Sequence, residues 1–198
     1  MISDAIALLL RQLNDYLLQA DGTPGAPAPA VWGNIAMLDR TDIATALDNH
    51  LVLTLVNLEE ERTLKNGQSF SRVGSDQVGY ANRPYFLNLF LLFTANYSNY
   101  GTALGRLTQV IRFFQGKQKF TFANSPTPGT PPPLVDFQLA IDLLSLSFEE
   151  VNHLWGFLGA KQSPSAVFRG RLVAITDQRL LETGSRIEDL ELTGRSVI

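Results

Sequence analysis

The length, composition and charge of the chain fit one folded domain and exclude several classes of function. Hydrophobic residues make up 45% and charged residues 18% of the 198 residues, enough for a single core of its own. The net charge is -3 and cysteine is absent. We therefore expect no nucleic acid partner, and thiolate catalysis, cysteine zinc sites and disulfides are excluded.

The beginning of the chain predicts an amphipathic helix. Apolar residues recur at three- and four-residue steps from Ile2 to Leu18, and Ser3 can cap the helix. The start carries no positive charge typical of a secretory signal, and no apolar run approaches the roughly 20 residues of a membrane helix. A loop with three prolines follows over residues 21–30. We expect a leaderless protein outside the membrane.

The middle of the chain predicts two strands around an irregular segment. Residues 51–62 begin apolar on both faces and end charged, as in a strand that leaves a covered sheet for solvent. Residues 63–83 have little periodicity and predict a long loop or an irregular hairpin. The aromatic and aliphatic run of residues 85–93 is typical of a central strand.

The second half predicts two more helices. The first covers residues 100–115 and should end at Gly116, before a short strand around Phe120 and Phe122. Residues 125–133 contain five prolines and indicate a surface loop.

A capping box marks the start of the last helix. Ser147 and Glu150 have its spacing, which predicts a helix to about Leu158 closed by Gly159. Residues 135–144 alternate imperfectly, and 166–175 predict a strand. Residues 187–192 could add an edge strand within a C-terminal segment, 177–198, that can extend from the domain.

These elements predict the fold class. Helices and strands in this order indicate one α+β domain, residues 1–198, with a mostly antiparallel or mixed sheet and amphipathic helices packed on it. The edges of such an open sheet are places where subunits commonly join.

Candidate catalytic residues are sparse. His50 and His153 are the two histidines; Glu149 lies one turn before His153, but one carboxylate and one imidazole leave a metal underliganded. Gly74-Ser75 lacks the second glycine of a nucleophile elbow, and no phosphate-binding glycine motif occurs. We expect no catalytic residue, cofactor or small-molecule substrate.

Two further clusters are interpreted from their pattern. The aromatic residues Phe148, Trp155 and Phe157 at helical spacing predict core. The acidic run of residues 59–61 fits a solvated strand end or a patch that docks a basic partner.

Three segments in order resemble the cap, or tail-terminator, protein family of extracellular contractile injection systems. The segments are PYFLNLFLLFTANYSNY at 84–100, VIRFFQ at 110–115 and LSFEEVNHLWGFLGAKQSPS at 146–165. The helical start and the strand of residues 53–61 also suit the family. The chain departs from it at His153, where a second asparagine is usual, and at Gln162, where an aromatic residue is usual.

The resemblance implies a structural role without catalysis. A phage tail-terminator-like fold would form a ring, a hexamer in this family, on the end of an inner tube and contractile sheath. The particle would be assembled in the bacterial cytoplasm and released. For contacts with these partners we select the exposed strand end and the following loop: Glu59, Glu60, Glu61, Arg62, Asn66 and Gly67.

Two other classes of function stay open. One is an assembly chaperone or binding module for sheath or tube subunits. The other is a small hydrolase that uses His153 and Glu149.

Overall fold

A computed structural model describes residues 2–61, 70–72, 77–81, 85–125, 137–175 and 180–185. In these ranges no helix is both long and apolar enough to cross a membrane. Arg62, Asn66, Gly67, the proline-rich residues 126–133 and the predicted edge strand 187–192 lie outside the described residues.

A six-stranded mixed sheet forms the centre of the molecule. Its strand order is β1-β2-β5-β8-β7-β6, with β1 parallel to β2 and all other neighbours antiparallel. The strands are β1 (Ala30–Trp32), β2 (His50–Glu60), β5 (Tyr85–Asn96), β6 (Lys119–Thr121), β7 (Gln138–Leu144) and β8 (Ser165–Ile175). The predicted α+β class with a mixed sheet is confirmed.

A second sheet has three antiparallel strands in the order β3-β4-β9. These are β3 (Phe70–Arg72), β4 (Gln77–Ala81) and β9 (Leu180–Ser185). The hairpin of β3 and β4 lies in the segment for which the sequence left a loop or an irregular hairpin open.

In the part of the chain that the structure describes, four α-helices and a 3-10 helix accompany the main sheet: α1 (Ile2–Ala20), the 3-10 helix (Ile35–Met37), α2 (Thr41–Leu47), α3 (Tyr100–Gly116) and α4 (Phe148–Leu158). The three predicted helices α1, α3 and α4 are confirmed. The 3-10 helix and α2 were not predicted. The end of α3 agrees with the expectation: Gly116 is its last residue, and the extended residue Lys117 follows as the C-cap, with its N–H bonded to the Phe113 carbonyl.

One side of the sheet, which we call the packed face, is covered by α1 and α3. The buried side of α1 contributes Leu9, Leu13 and Leu17 to the largest core cluster. Phe93 of β5 and Phe168 of β8 meet edge to face at 5.5 Å between ring centroids. Ring contacts of this kind add to the burial of apolar area, so this face holds most of the apolar core.

The opposite side, which we call the thin face, carries a smaller cluster. Val52, Leu92 and Val167 of the sheet are covered by Ile35, Leu47 and Trp155 from the 3-10 helix, α2 and α4. The predicted capping box starts α4: Ser147 Oγ accepts the Glu150 N–H, and the Glu150 carboxylate accepts the Ser147 N–H. Gly159 ends it in the left-handed conformation, at φ 64, as predicted.

Candidate assembly interface

The acidic strand end selected from the sequence lies at the last residues of β2. Glu59 and Glu60 are exposed and opposite Asn88 and Leu87, so their side chains alternate between the two faces. Glu61 follows the strand, and its carboxylate accepts a hydrogen bond of 3.1 Å from Asn88 Nδ2. The structure thus brings these three carboxylates to one end of the sheet.

Polar groups without partners lie on the thin face near that end. Asn88 Oδ1 and Arg169 Nε are buried and have no hydrogen-bond partner. Arg171, opposite Asn88, instead pairs with Asp142 at 2.6 Å. Buried polar atoms are usually satisfied, so these two atoms are exceptions to the usual pattern.

The edge of β2 is open over its second half. Strand β1 pairs with residues 51–53 of β2 and ends there. Thr54 then turns the chain away, because its Oγ1 donates to the Gly33 carbonyl at 2.7 Å and accepts the Ile35 N–H at 3.2 Å. No other described strand pairs with this edge from Leu55 to Glu60.

Gly33 makes that turn possible. A Cβ atom at this position would lie 2.6 Å from Leu47 Cδ2 of α2. Asn34 then caps the 3-10 helix by accepting the Ala36 N–H at 3.1 Å. The chain therefore crosses to the thin face instead of extending β1, and no strand of the described ranges continues the pairing along β2 beyond Leu53 on this side.

A cleft of about 450 Å³ lies at this edge of β2. We call it the β2-edge cleft. It is lined by exposed Trp32, Leu55 and Phe157 and by Ile6 and Val56. Exposed apolar side chains that converge on one cleft are typical of a protein contact site.

The two phenylalanines of α4 correct the core interpretation of its aromatic residues. Trp155 is 5% exposed, whereas Phe148 and Phe157 are 95% and 83% exposed. Nine residues at about 100° each place the two phenylalanines on opposite flanks of the helix. Trp155 lies seven residues after Phe148, within about 20° of it around the helix, and about 160° from Phe157. A helix that buries Trp155 against the sheet therefore exposes Phe157, whereas Phe148 is exposed as the first residue of the helix.

The outer side of α3 is a further apolar surface that the sequence interpretation missed. Tyr100, Leu104 and Ile111 are exposed along one line of the helix. We call these residues the α3 stripe. Their four- and seven-residue spacing is a signal for a common face, but only the sheet packing decides that this face is the outer one.

The candidate catalytic groups do not form a site in the described residues. Glu149 and His153 are both exposed on α4, and no group of three potential metal-ligating side chains occurs in the described part. The His50 ring contacts the Asp48 carbonyl through Nδ1 at 2.7 Å. The geometry therefore offers binding surfaces and no assembled catalytic centre among these residues.

The pKa of the Glu150 carboxylate is shifted by its role in the capping box. Hydrogen bonds from the backbone and side chain of Ser147 hold the pKa of Glu150 below its ordinary value. This shift belongs to the capping box and does not mark a catalytic acid.

Comparison with one solved structure supports the same fold. The whole chain matches a cryo-EM structure of an extracellular contractile injection system, the PVC sheath/tube terminator in the extended state, with a TM-score of 0.59 and 12% identity. The chain covers 64% of that terminator chain. A second match is the cryo-EM structure of the anti-feeding prophage cap, the AFP tube terminating cap, with a TM-score of 0.47 and 14% identity over 73% of this chain and 49% of that one.

Sequence comparison identifies the family. No curated protein matches the chain, but the family profile of the Pvc16 N-terminal domain matches residues 4–189. This match spans nearly the whole chain, including all three segments that carried the resemblance. The chain therefore belongs to the Pvc16 N-terminal domain family.

Proposed function

We propose that the chain terminates the inner tube and the contractile sheath of an injection particle, as a ring of six copies. The observation that carries this proposal is the family match over residues 4–189. The exposed apolar surfaces at the β2 edge, on α3 and on α4 support it. A subunit of such a ring must contact both its neighbours in the ring and the tube or sheath on which the ring sits.

A terminator needs binding surfaces and no catalysis. A stack of identical rings leaves an unfilled interface at its last ring, and further subunits can add there. A cap with one complementary face and no copy of the growth surface stops this addition. In this proposal the partners are sheath and inner-tube subunits, and no cofactor, nucleic acid or membrane takes part.

The place of assembly follows from the role. The ring would join the tube and sheath in the bacterial cytoplasm, where the particle is built, and would leave the cell with it.

Deletion of the gene in a producing strain tests the function. We expect particles of irregular or excessive length by negative-stain electron microscopy, and normal length after expression of the intact chain from a plasmid. Particles of uniform, normal length without the chain would contradict a terminating role.

Mass spectrometry of the purified particle separates the cap from an assembly chaperone. A cap stays in the finished particle at a fixed low copy number. Absence of the chain from particles that nevertheless depend on it would indicate the chaperone.

A further inference from the structure

Two exposed apolar surfaces lie on different lateral sides of the domain. The β2-edge cleft is bordered by Ile6 of α1 and lies at the edge of β2. Helix α3 instead lies over β5 and β7, farther along the sheet. A contact that joins these two surfaces must therefore involve two molecules.

The orientation of α3 places its stripe away from α1. Phe113 faces α1 and contacts Tyr16 at 5.4 Å between ring centroids. Ile111 precedes Phe113 by two residues, about 200° around the helix, so the stripe points to the side opposite α1. The cleft and the stripe consequently face in divergent directions.

We propose that the β2-edge cleft of one copy binds the α3 stripe of a second copy, head to tail. The proposal names the subunit contact of the ring and therefore rests on the proposed function. Leu104 of one copy would lie against Leu55 of the next, with the rings of Trp32 and Phe157 on either side. This contact covers apolar side chains that the isolated chain exposes to water.

Charge and spacing fit this pairing. Arg112 is exposed one residue after Ile111, and it lies eight residues beyond Leu104, about 12 Å along a helix. Glu59 lies four residues beyond Leu55, about 13 Å along a strand. The bulge between Leu55 and Asn57 places the Leu55 side chain on the packed face and the Glu59 side chain on the thin face. When α3 runs in the direction of β2, Arg112 comes level with Glu59, and its long side chain must extend past the strand edge to meet the Glu59 carboxylate.

The exposed side of α3 also permits a close approach. At Gly105 a Cβ atom would meet no other atom within 4 Å, and at Gly101 it would meet only Asn99 Oδ1, at 3.2 Å. Because these two glycines have no side chain, the helix backbone is less covered beside the stripe. A neighbouring strand edge can therefore lie near the helix backbone.

The contact is heterologous, because two different surfaces meet. Repetition of one such contact generates a closed ring when its rotation divides a full turn. A symmetric dimer is not formed by this geometry.

The absence of native cysteine permits a direct cross-linking test. The variant L55C/L104C, assembled into particles or rings and treated with a short bis-maleimide, should give a ladder of covalent multimers on a denaturing gel. Leu55→Cys alone and Leu104→Cys alone should remain monomeric, because equivalent positions of neighbours are far apart in a head-to-tail ring.

The matched control is L55C/F148C. Phe148 is more exposed than Leu104 and lies outside both surfaces, so this pair should give no ladder. A ladder of equal yield from the control would contradict a specific contact. Unchanged circular dichroism and Tm of both variants establish that they fold.

Charge reversal gives a second measurement. Arg112→Glu should weaken subunit association roughly fivefold, as for an exposed ion pair, and the added change Glu59→Arg should recover most of it. Further weakening in the double variant would contradict the proposed register.

Failure of this contact and failure of the function have different signatures. Rings on particles of normal length without an L55C/L104C ladder would overturn the contact and leave the terminating role intact. Loss of any length effect on gene deletion would overturn the role itself.

Discussion

The packed face and the thin face of the same sheet are built in different ways. On the packed face, Phe93 and Phe168 are almost fully buried and meet Phe114 of α3 at ring distances of 5.5 and 4.6 Å. On the thin face, Trp155 is the one buried residue of α4. One face is closed by long helices, and the other by short elements.

This difference indicates that the packed face mainly stabilises the fold, whereas the thin face and the β2 edge leave side chains available for contact with a partner. Burial of large apolar side chains supplies most of the free energy of folding, and the packed face holds most of those residues. The thin face and the adjoining β2 edge leave Phe148, Phe157 and Trp32 in water, which costs little stability and leaves them available to a partner. We expect substitutions on the two faces to differ accordingly.

The largest expected effect is that of Phe93→Ala. Removal of a fully buried ring from a closely packed aromatic cluster leaves a cavity that α1 and α3 cannot fill, and we expect the free energy of unfolding to fall by about 4 kcal/mol. Guanidinium denaturation followed by circular dichroism measures the change.

Phe148→Ala is the matched control. The same atoms are removed from a ring that is 95% exposed, so the expected change is within about 0.5 kcal/mol. Similar losses in the two variants would contradict the division between the faces.

Trp155→Ala tests the thin face. We expect a loss of about 3 kcal/mol, at the low end for such a substitution because α4 can settle toward the sheet. Hydrogen exchange should rise in α4 more than in α1 and α3. A uniform rise across all helices would indicate that the two faces unfold as one unit.

Hydrophobic periodicity and capping motifs in the sequence were sufficient to predict the long helices. The spacing of Leu9, Leu13 and Leu17 predicted α1, and Ser147 with Glu150 predicted the start of α4, because these signals are local. The 3-10 helix and α2 were missed because they are short, three and seven residues, and α2 also lacks a side-chain cap. The position of α2 depends on Leu47, which shares a core cluster with Leu92, Trp155 and Val167, residues distant in sequence.

The contact surfaces were predictable only in part. The acidic end of β2 was found because a strand that turns from apolar to charged leaves the covered sheet. The β2-edge cleft was not, since it depends on the turn at Gly33 and Thr54 that stops β1. Phe148 and Phe157 were expected in the core because helical spacing does not state which flank meets the sheet.

Ser147→Ala is expected to have a moderate effect on the thin face alone. Loss of the hydroxyl that accepts the Glu150 N–H should cost about 1 kcal/mol. Ser145→Ala is the control, because Ser145 is exposed before the helix and caps nothing. Equal stability of both variants to guanidinium would show that the capping box does not hold α4 in place.

The smallest expected effect concerns an ion pair on the packed face. Asp21, in the loop after α1, contacts Arg106 of α3 at 2.6 Å and Gln109 at 3.1 Å. Burial alone would raise the pKa of Asp21, but the hydrogen bonds from Arg106 and Gln109 and the charge of Arg106 outweigh it and lower the pKa. We expect Asp21→Asn to cost no more than about 1 kcal/mol at neutral pH.

The pH dependence distinguishes this pair from mere packing. A carboxylate with a lowered folded pKa contributes stability that is complete above its unfolded pKa, about 3.9, and is lost as the pH falls through the folded pKa. The difference in unfolding free energy between the natural chain and Asp21→Asn should therefore be constant from pH 6 to 7, on the scale of about 1 kcal/mol or less, and should shrink below about pH 4. Trp155→Ala should show no such convergence, because no titrating group is removed. A pH-independent difference for Asp21→Asn would mean that the loop is held to α3 by shape and not by charge.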